Sequence, residues 1–314
     1  MKNIIMKISK KSKKILVTHD GSFHTDDIFA AATFSIYFEN LGETFEIIRT
    51  RNPEIIEKGD YIFDVGGIYN AEINRFDHHQ AGGAGRRASG AEAGIEYASF
   101  GLVWRKFGLE VCGSPKAFEM IDRKLVAPID AGDNGLDLVL NKYEVSPYLI
   151  QYFFSSMNPT WQEESLSNDE MFLKCVAIAK EILSREITQA KDGVLAQDLV
   201  VSIYKNAKDK RIIVLDKHYP FEYVLHSFPE PLFVVYPRVG EDSGEIWGVK
   251  TVREDIKTFK SRKNLPESWA GLRDKDLQKA TGVADAIFCH RGLFMAKAKS
   301  KEGAIRLAEL ALKA

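Results

Sequence analysis

The chain has 314 residues, enough for about two domains of ordinary size, with 45% apolar and 28% charged side chains and a formal net charge of −1. This is the make-up of a soluble globular protein and carries no global nucleic-acid signature, although a local basic groove would not register in the total. Three scattered cysteines, Cys112, Cys175 and Cys289, with no CxxC pair argue for a reducing, cytoplasmic setting and against thiolate zinc, and no apolar run is long enough to span a bilayer.

Residues 1–14 are basic, lack the apolar stretch of a secretory signal, and read as a solvated tail. Residues 14–19 (KILVTH) predict a short buried strand ending on His19. A helix is expected over 26–38, where apolar side chains recur at helical spacing behind acids that suit an N-terminus. Residues 44–50 predict a second strand, and Pro53 opens a short helix that Gly59 ends. Residues 61–65 (YIFDV) predict a third strand, closed by Gly66 and Gly67. Strand, helix and strand in this rhythm point to a parallel sheet with crossover helices.

Residues 81–87 (AGGAGRR) read as a flexible loop, 92–107 and 115–126 as helices, and 130–135 (DAGDNG) as an acid-rich turn. A long amphipathic helix is expected over 167–190. Strands expected at 211–215, 232–237 and 246–252, then a hairpin of 286–290 with 294–298, describe an antiparallel sheet closed by a helix over 301–313. The predicted organisation is a basic tail (1–14), a metal-binding α/β domain with a parallel sheet (15–165), and a smaller α/β domain with a mostly antiparallel sheet (166–314) that includes the connecting helix.

The chemistry lies in three clusters: His19 to Asp27 (HDGSFHTDD), Asp64 to Gly67 (DVGG) and Asp77 to Gln80 (DHHQ). Acids and imidazoles at strand ends are costly to bury unless they pair or bind a cation. His19 and Asp64 both fall at predicted carboxyl ends of strands, where open α/β sheets collect functional groups. Two cations about 3.5–4 Å apart need a shared carboxylate and terminal ligands. Asp64 is the bridging candidate, with His19, His24, Asp26, His78 and Asp130 as further ligands and Asp133 competing with Asp130.

Imidazole and carboxylate without thiolate favour manganese, with magnesium or zinc as alternatives. The cations would activate water, so Asp64, His78 and His79 are the catalytic candidates. In an extended segment His79 would point away from His78 and toward substrate phosphate. Asp77 is expected to orient an imidazole, and Asp20 and Asp27 to cap or lie on the surface. Arg86 and Arg87, in the glycine-rich loop, are candidate phosphate grips, and Arg273 and His290 are substrate contacts in the second domain. Cys289 lacks the partners of a thiol nucleophile, and Trp247 and Trp269 suit core packing better than base stacking.

Four of these motifs, THDGSFH at 18–24, DVGG at 64–67, FDHHQ at 76–80 and IDAGDNG at 129–135, resemble the signature of the melanocyte-proliferating-gene family, which is similar to the DHH phosphoesterases. The likeness continues at ESWAGLR (267–273) and FCH (288–290). It implies a two-domain α/β phosphoesterase with a manganese-type centre and 3′–5′ exonuclease action on RNA or oligonucleotides. A phosphohydrolase acting on a dinucleotide or pyrophosphate, and a metal-stabilised binding protein without turnover, are the alternatives. Homodimerisation is left open by the sequence.

Overall fold

The computed structural model describes residues 13–239 and 245–314; most of the predicted N-terminal tail lies outside them. The chain divides into two compact units, Met1–Lys191 and Asp192–Ala314.

In the first unit, β1 (Lys14–Thr18) leads into α1 (Thr25–Leu41), followed by β2 (Phe45–Arg49), α2 (Pro53–Lys58), β3 (Tyr61–Phe63), β4 (Tyr69–Asn70) and β5 (Arg75–Phe76). The sheet order is β2-β1-β3-β5-β4. Its first four strands run parallel, with Val17 opposite Ile62 and Phe63 opposite Phe76, and β4 is antiparallel to β5. Helix α1 begins with His24 as N-cap, where Asp27 accepts the His24 backbone N–H at 3.0 Å, and it ends on Gly42 in the left-handed conformation. Ile28, Phe29, Phe34 and Phe38 are buried along it, so this helix is a core element rather than a surface one. It packs against α3 (Ser99–Cys112).

Next come α4 (Pro115–Ile121), a π-helical turn at Asp122–Val126, α5 (Ala127–Asp133) and α6 (Ile150–Ser155). Helix α7 (Asn168–Asn206) buries Phe172, Cys175, Ala179, Leu183 and Ile187 in the first unit's core. The compact division therefore falls inside α7 rather than ahead of it, because its first half supplies part of that core.

Two predicted elements differ. Residues 92–98 do not begin a helix. Gly90 and Gly94 take positive φ (90° and 88°) and turn the chain back; Arg87 N–H then donates to Ile95 O at 2.9 Å and Tyr97 N–H to Gly85 O at 3.0 Å. The same ladder orders the loop expected to be flexible. Residues 130–133 are helical rather than a turn, since Pro128 sits in the first turn of α5, the position a helix tolerates.

The second unit contains β6 (Ile212–Val214), α8 (Glu222–His226), β7 (Phe233–Val239), β8 (Glu245–Thr251), α9 (Asp274–Thr281), β9 (Ala286–Cys289), β10 (Met295–Ala298) and α10 (Lys301–Lys313). Its sheet order is β6-β7-β8-β10-β9, parallel only between β6 and β7. Phe233, Val235, Trp247, Val249, Trp269 and Leu307 share its core. The whole is a mixed α/β fold with one mostly parallel and one mostly antiparallel sheet, as the sequence predicts.

Candidate metal centre

Strands β1, β3 and β5 run in the same direction, so their carboxyl ends share one sheet edge. His19 follows β1, Asp64 follows β3, and His78 lies two residues beyond β5. Gly21, at φ 81°, turns the first loop so that His24 can cap α1; a side chain would be strained there. Asp64 itself has φ 55°, a left-handed conformation rare for a residue with a side chain and typical of functional sites.

Among the described residues, three groups of ligand atoms come within 4.8 Å of one another: His19, His24 and Asp64; Asp64, His78 and His79; and His24, Asp26 and Asp133. Asp64 belongs to two groups and His24 to two, so the three positions overlap. Asp64 Oδ2 lies 3.1 Å from His19 Nε2, and Asp64 Oδ1 lies 3.3 Å from His78 Nε2 and accepts from Ser99 Oγ at 3.2 Å. His19 Nε2 also meets Asp27 Oδ2 at 3.2 Å, and His78 Nε2 meets Asp133 Oδ2 at 3.2 Å.

This edge is short of positive charge. Asp26 is fully buried, and both its carboxylate oxygens are without a hydrogen-bond partner among the described residues. Burial, then the Asp64, Asp133 and Asp27 carboxylates, push its acid well above the ordinary range. For His19, burial favours the neutral ring, but Asp27 and Asp64 outweigh it and raise the imidazole to about 10. His78 is raised to about 10 in the same way, burial being overcome by Asp133 and Asp64. Asp64 is pushed up by burial yet held well below the ordinary carboxylate range by His19 and His78. A buried carboxylate without a donor, beside imidazoles that keep protons only for want of another cation, fits hard or borderline divalent metals.

The remaining candidates are placed as follows. Asp130 is not in these groups: it accepts from the Gly101 backbone N–H at 2.9 Å and pairs with Arg87 Nη1 at 2.8 Å, while Asp133, three residues on, reaches His78. Arg87 is buried, and its Nε and Nη2 donate to Asp122 at 3.0 and 2.9 Å. Burial opposes its charge, but Asp122 and Asp130 hold the guanidinium above its usual pKa. It is a structural cation, buried out of reach of a phosphate and held between Asp122 and Asp130, contrary to the sequence expectation. Arg86 is exposed and donates to Glu96 at 2.7 Å.

His79 does not point away from His78. Strand β5 has ended at Phe76, and the two rings lie 4.3 Å apart. Asp77 Oδ1 holds His79 Nδ1 at 2.7 Å, and Asp77 also accepts the Gly67 backbone N–H. Asp27 caps α1 as expected but is buried rather than superficial.

In the second unit, the Arg273 guanidinium lies 4.8 Å from the Phe288 ring, and the His290 ring lies tilted against Phe294 at 4.3 Å while accepting the Gly292 N–H. Trp247 and Trp269 are core residues, and burial pushes the Cys289 thiol up to about 11, unsuited to nucleophilic attack.

Sequence reasoning missed the role of Arg87 and placed Asp130 in the ligand set while leaving Asp133 as its competitor. The helical spacing of IDAGD was the available signal: once 127–133 is a helix, the two acids sit almost a full turn apart and serve different partners.

An α/β unit whose strand ends gather imidazoles and carboxylates into overlapping cation positions belongs to the class of α/β proteins with a candidate metal centre at a sheet edge. Within that class the chain belongs to the MYG1 family: the family model, described as "Uncharacterised protein family (UPF0160)", matches residues 15–312. Similar proteins include a MYG1 protein of Schizosaccharomyces pombe, 27% identical over 95% of this chain and 97% of its own length, and the MYG1 exonuclease of Mus musculus, 28% identical over 94% and 84%. Among solved structures, exonuclease RecJ bound to manganese aligns over 96% of this chain and 91% of its own, at 13% identity and a TM-score of 0.27. Among the described residues no helix is long and apolar enough to cross a membrane.

Proposed function

We propose that this protein is a manganese-dependent 3′–5′ exonuclease of RNA or short oligonucleotides, in which two cations share Asp64. The observation that carries the reading is the overlap of three ligand groups at Asp64 and His24, next to an Asp26 carboxylate without a donor. The exonuclease name of the mammalian relatives supports the reaction class, and the motif resemblance supports RNA and the 3′ end.

Asp64, Asp26 and Asp133 supply the negative charge, and His19, His24 and His78 the neutral donors, of a cation-binding edge. Bound there, divalent cations lower the pKa of water and offset charge on a phosphodiester. The chain's own groups set the rest. Ser99 Oγ fixes one oxygen of Asp64. Asp77 Oδ1 accepts a hydrogen bond from His79 Nδ1–H, and the His79 side chain is 62% exposed, leaving Nε2 to meet phosphate or, when the ring is protonated, to pass a proton to the departing oxygen. In the second unit, Arg273 and His290, beside Phe288 and Phe294, are the candidate contacts for a nucleic-acid strand, through charge and ring contact.

The test is digestion of a 5′-labelled oligoribonucleotide with added Mn2+. The expected product is a ladder shortened from the 3′ end, lost in Asp64→Asn. Cleavage of dinucleotides alone would shift the substrate to a small phosphodiester. Absence of Mn2+-dependent turnover on either would overturn the enzymatic reading in favour of a metal-stabilised binding protein.

A further inference from the structure

Immediately after Asp133, the chain does something a solitary globular protein avoids. Ten of the 23 exposed large apolar side chains among the described residues fall within the 18 positions 136–153, among them Leu138 (51% exposed), Leu140 (98%), Tyr143 (71%), Val145 (74%) and Tyr148 (71%). Residues 136–141 run without helix, strand or turn. No backbone–backbone hydrogen bond joins 137–148 to another element among the described residues. An apolar segment whose backbone finds no backbone partner among the described residues offers its amides and carbonyls to another chain, and three charges and Pro147 interrupt the apolar side chains without covering them.

We propose that this segment is the contact through which two copies of the chain associate, antiparallel and segment against segment, about a two-fold axis near Val139. Paired as a strand, the segment would alternate its side chains and set Leu136, Leu138 and Leu140 on one face. In that register Leu138 of one copy lies opposite Leu140 of the other, and Asp137 lies opposite Asn141, so no like charges oppose. The partner is argued from area and charge. Four aromatic side chains at roughly 150–250 Å² each and six Leu and Val at roughly 100 Å² each, at 37–98% exposure, amount to on the order of 800 Å². The largest apolar patch on a typical monomer is about 300–600 Å². Each partner in a standard interface contributes about 800 Å², so one further copy presenting the same segment covers the patch. Asp137, Lys142 and Glu144 are the only charges in 136–153, too balanced to draw a polyanion or an anionic bilayer.

The test is molar mass by light scattering and sedimentation, up to tens of micromolar, on the full chain. The wild type is expected at twice the chain mass. Leu138→Lys combined with Leu140→Lys should halve that mass while leaving the circular dichroism spectrum and Mn2+ binding unchanged. Because the native cysteines are buried, Val139→Cys under mild oxidation should give a covalent dimer through the introduced thiol. A monomer throughout that range overturns the proposal. So does a dimer whose mass the double lysine variant leaves intact, or a Val139→Cys chain that forms no crosslink. None of these outcomes bears on metal-dependent turnover, which the digestion assay reads separately.

Discussion

Replacing Arg87 by alanine is the sharpest test of how the first unit is built. Its guanidinium meets three carboxylate oxygens, two on Asp122 and one on Asp130, and sits 4.5 Å from the Tyr97 ring. Asp122 keeps a side-chain exposure of 20% and can be rehydrated; Asp130 is fully buried and would keep only the Gly101 N–H. Breaking one side of a buried pair costs about 3–5 kcal/mol, because Asp130, already raised to about 8 by burial against the pull of Arg87, must then take up a proton or stay buried without its partner. At about 2–4 °C per kcal/mol for a unit near 190 residues, the melting temperature should fall by roughly 6–20 °C. Urea unfolding followed by circular dichroism measures the loss, with each unit's transition fitted separately. Arg86→Ala is the control, since its pair with Glu96 is exposed and should cost under about 1 kcal/mol. Adding Asp130→Ala to Arg87→Ala should recover part of the loss, since no stranded charge remains. The reasoning is refuted if Arg87→Ala unfolds at the wild-type midpoint while KM for an oligonucleotide rises, for then the guanidinium serves substrate and not the fold.

Asp26→Asn should stabilise the metal-free chain at neutral pH, by about 1 kcal/mol or more, because the buried acid, pushed well above its ordinary range, must take up a proton to fold and the amide need not; it should also weaken Mn2+ binding, and thermal melts with and without chelator read both signs. Mn2+ affinity should rise with pH across the neutral range, because His19 and His78, raised to about 10, must release protons to become ligands. Calorimetry in buffers of different ionisation enthalpy should detect that release, and equal heats across buffers would contradict it. The corresponding sign for the metal-free chain is the reverse: the stability these imidazolium pairs contribute is complete below their ordinary 6.5 and is lost as pH rises through about 10. Burial pushes Cys112 to about 12 and Cys175 and Cys289 to about 11, so the native chain should resist thiol reagents at pH 8 and yield three reactive thiols after unfolding.

Much of the centre could be read directly from the chain. A short apolar run followed by His19, and another followed by Asp64, each placed a metal-competent group at a strand end, and parallel pairing brought those ends to one edge. What escaped the reading depended on turns and on pairing across distance. Glycines at 90 and 94 look like linker residues, yet their left-handed backbone folds 85–97 into a ladder that draws Arg87 inward to Asp122 and Asp130, 35 and 43 positions away. The choice between Asp130 and Asp133 needed to know that 127–133 is helical, which a DAGDNG pattern hides. The order His78-His79 misled because alternation holds only within a strand, and β5 is two residues long.

The positive φ of Asp64 bears on how the centre should be disabled. Asparagine tolerates that backbone nearly as well as aspartate, whereas alanine pays about 1–2 kcal/mol to occupy it. An inactive Asp64→Ala chain would therefore conflate a missing carboxylate with a loosened strand end, and the amide is the variant that keeps the two apart.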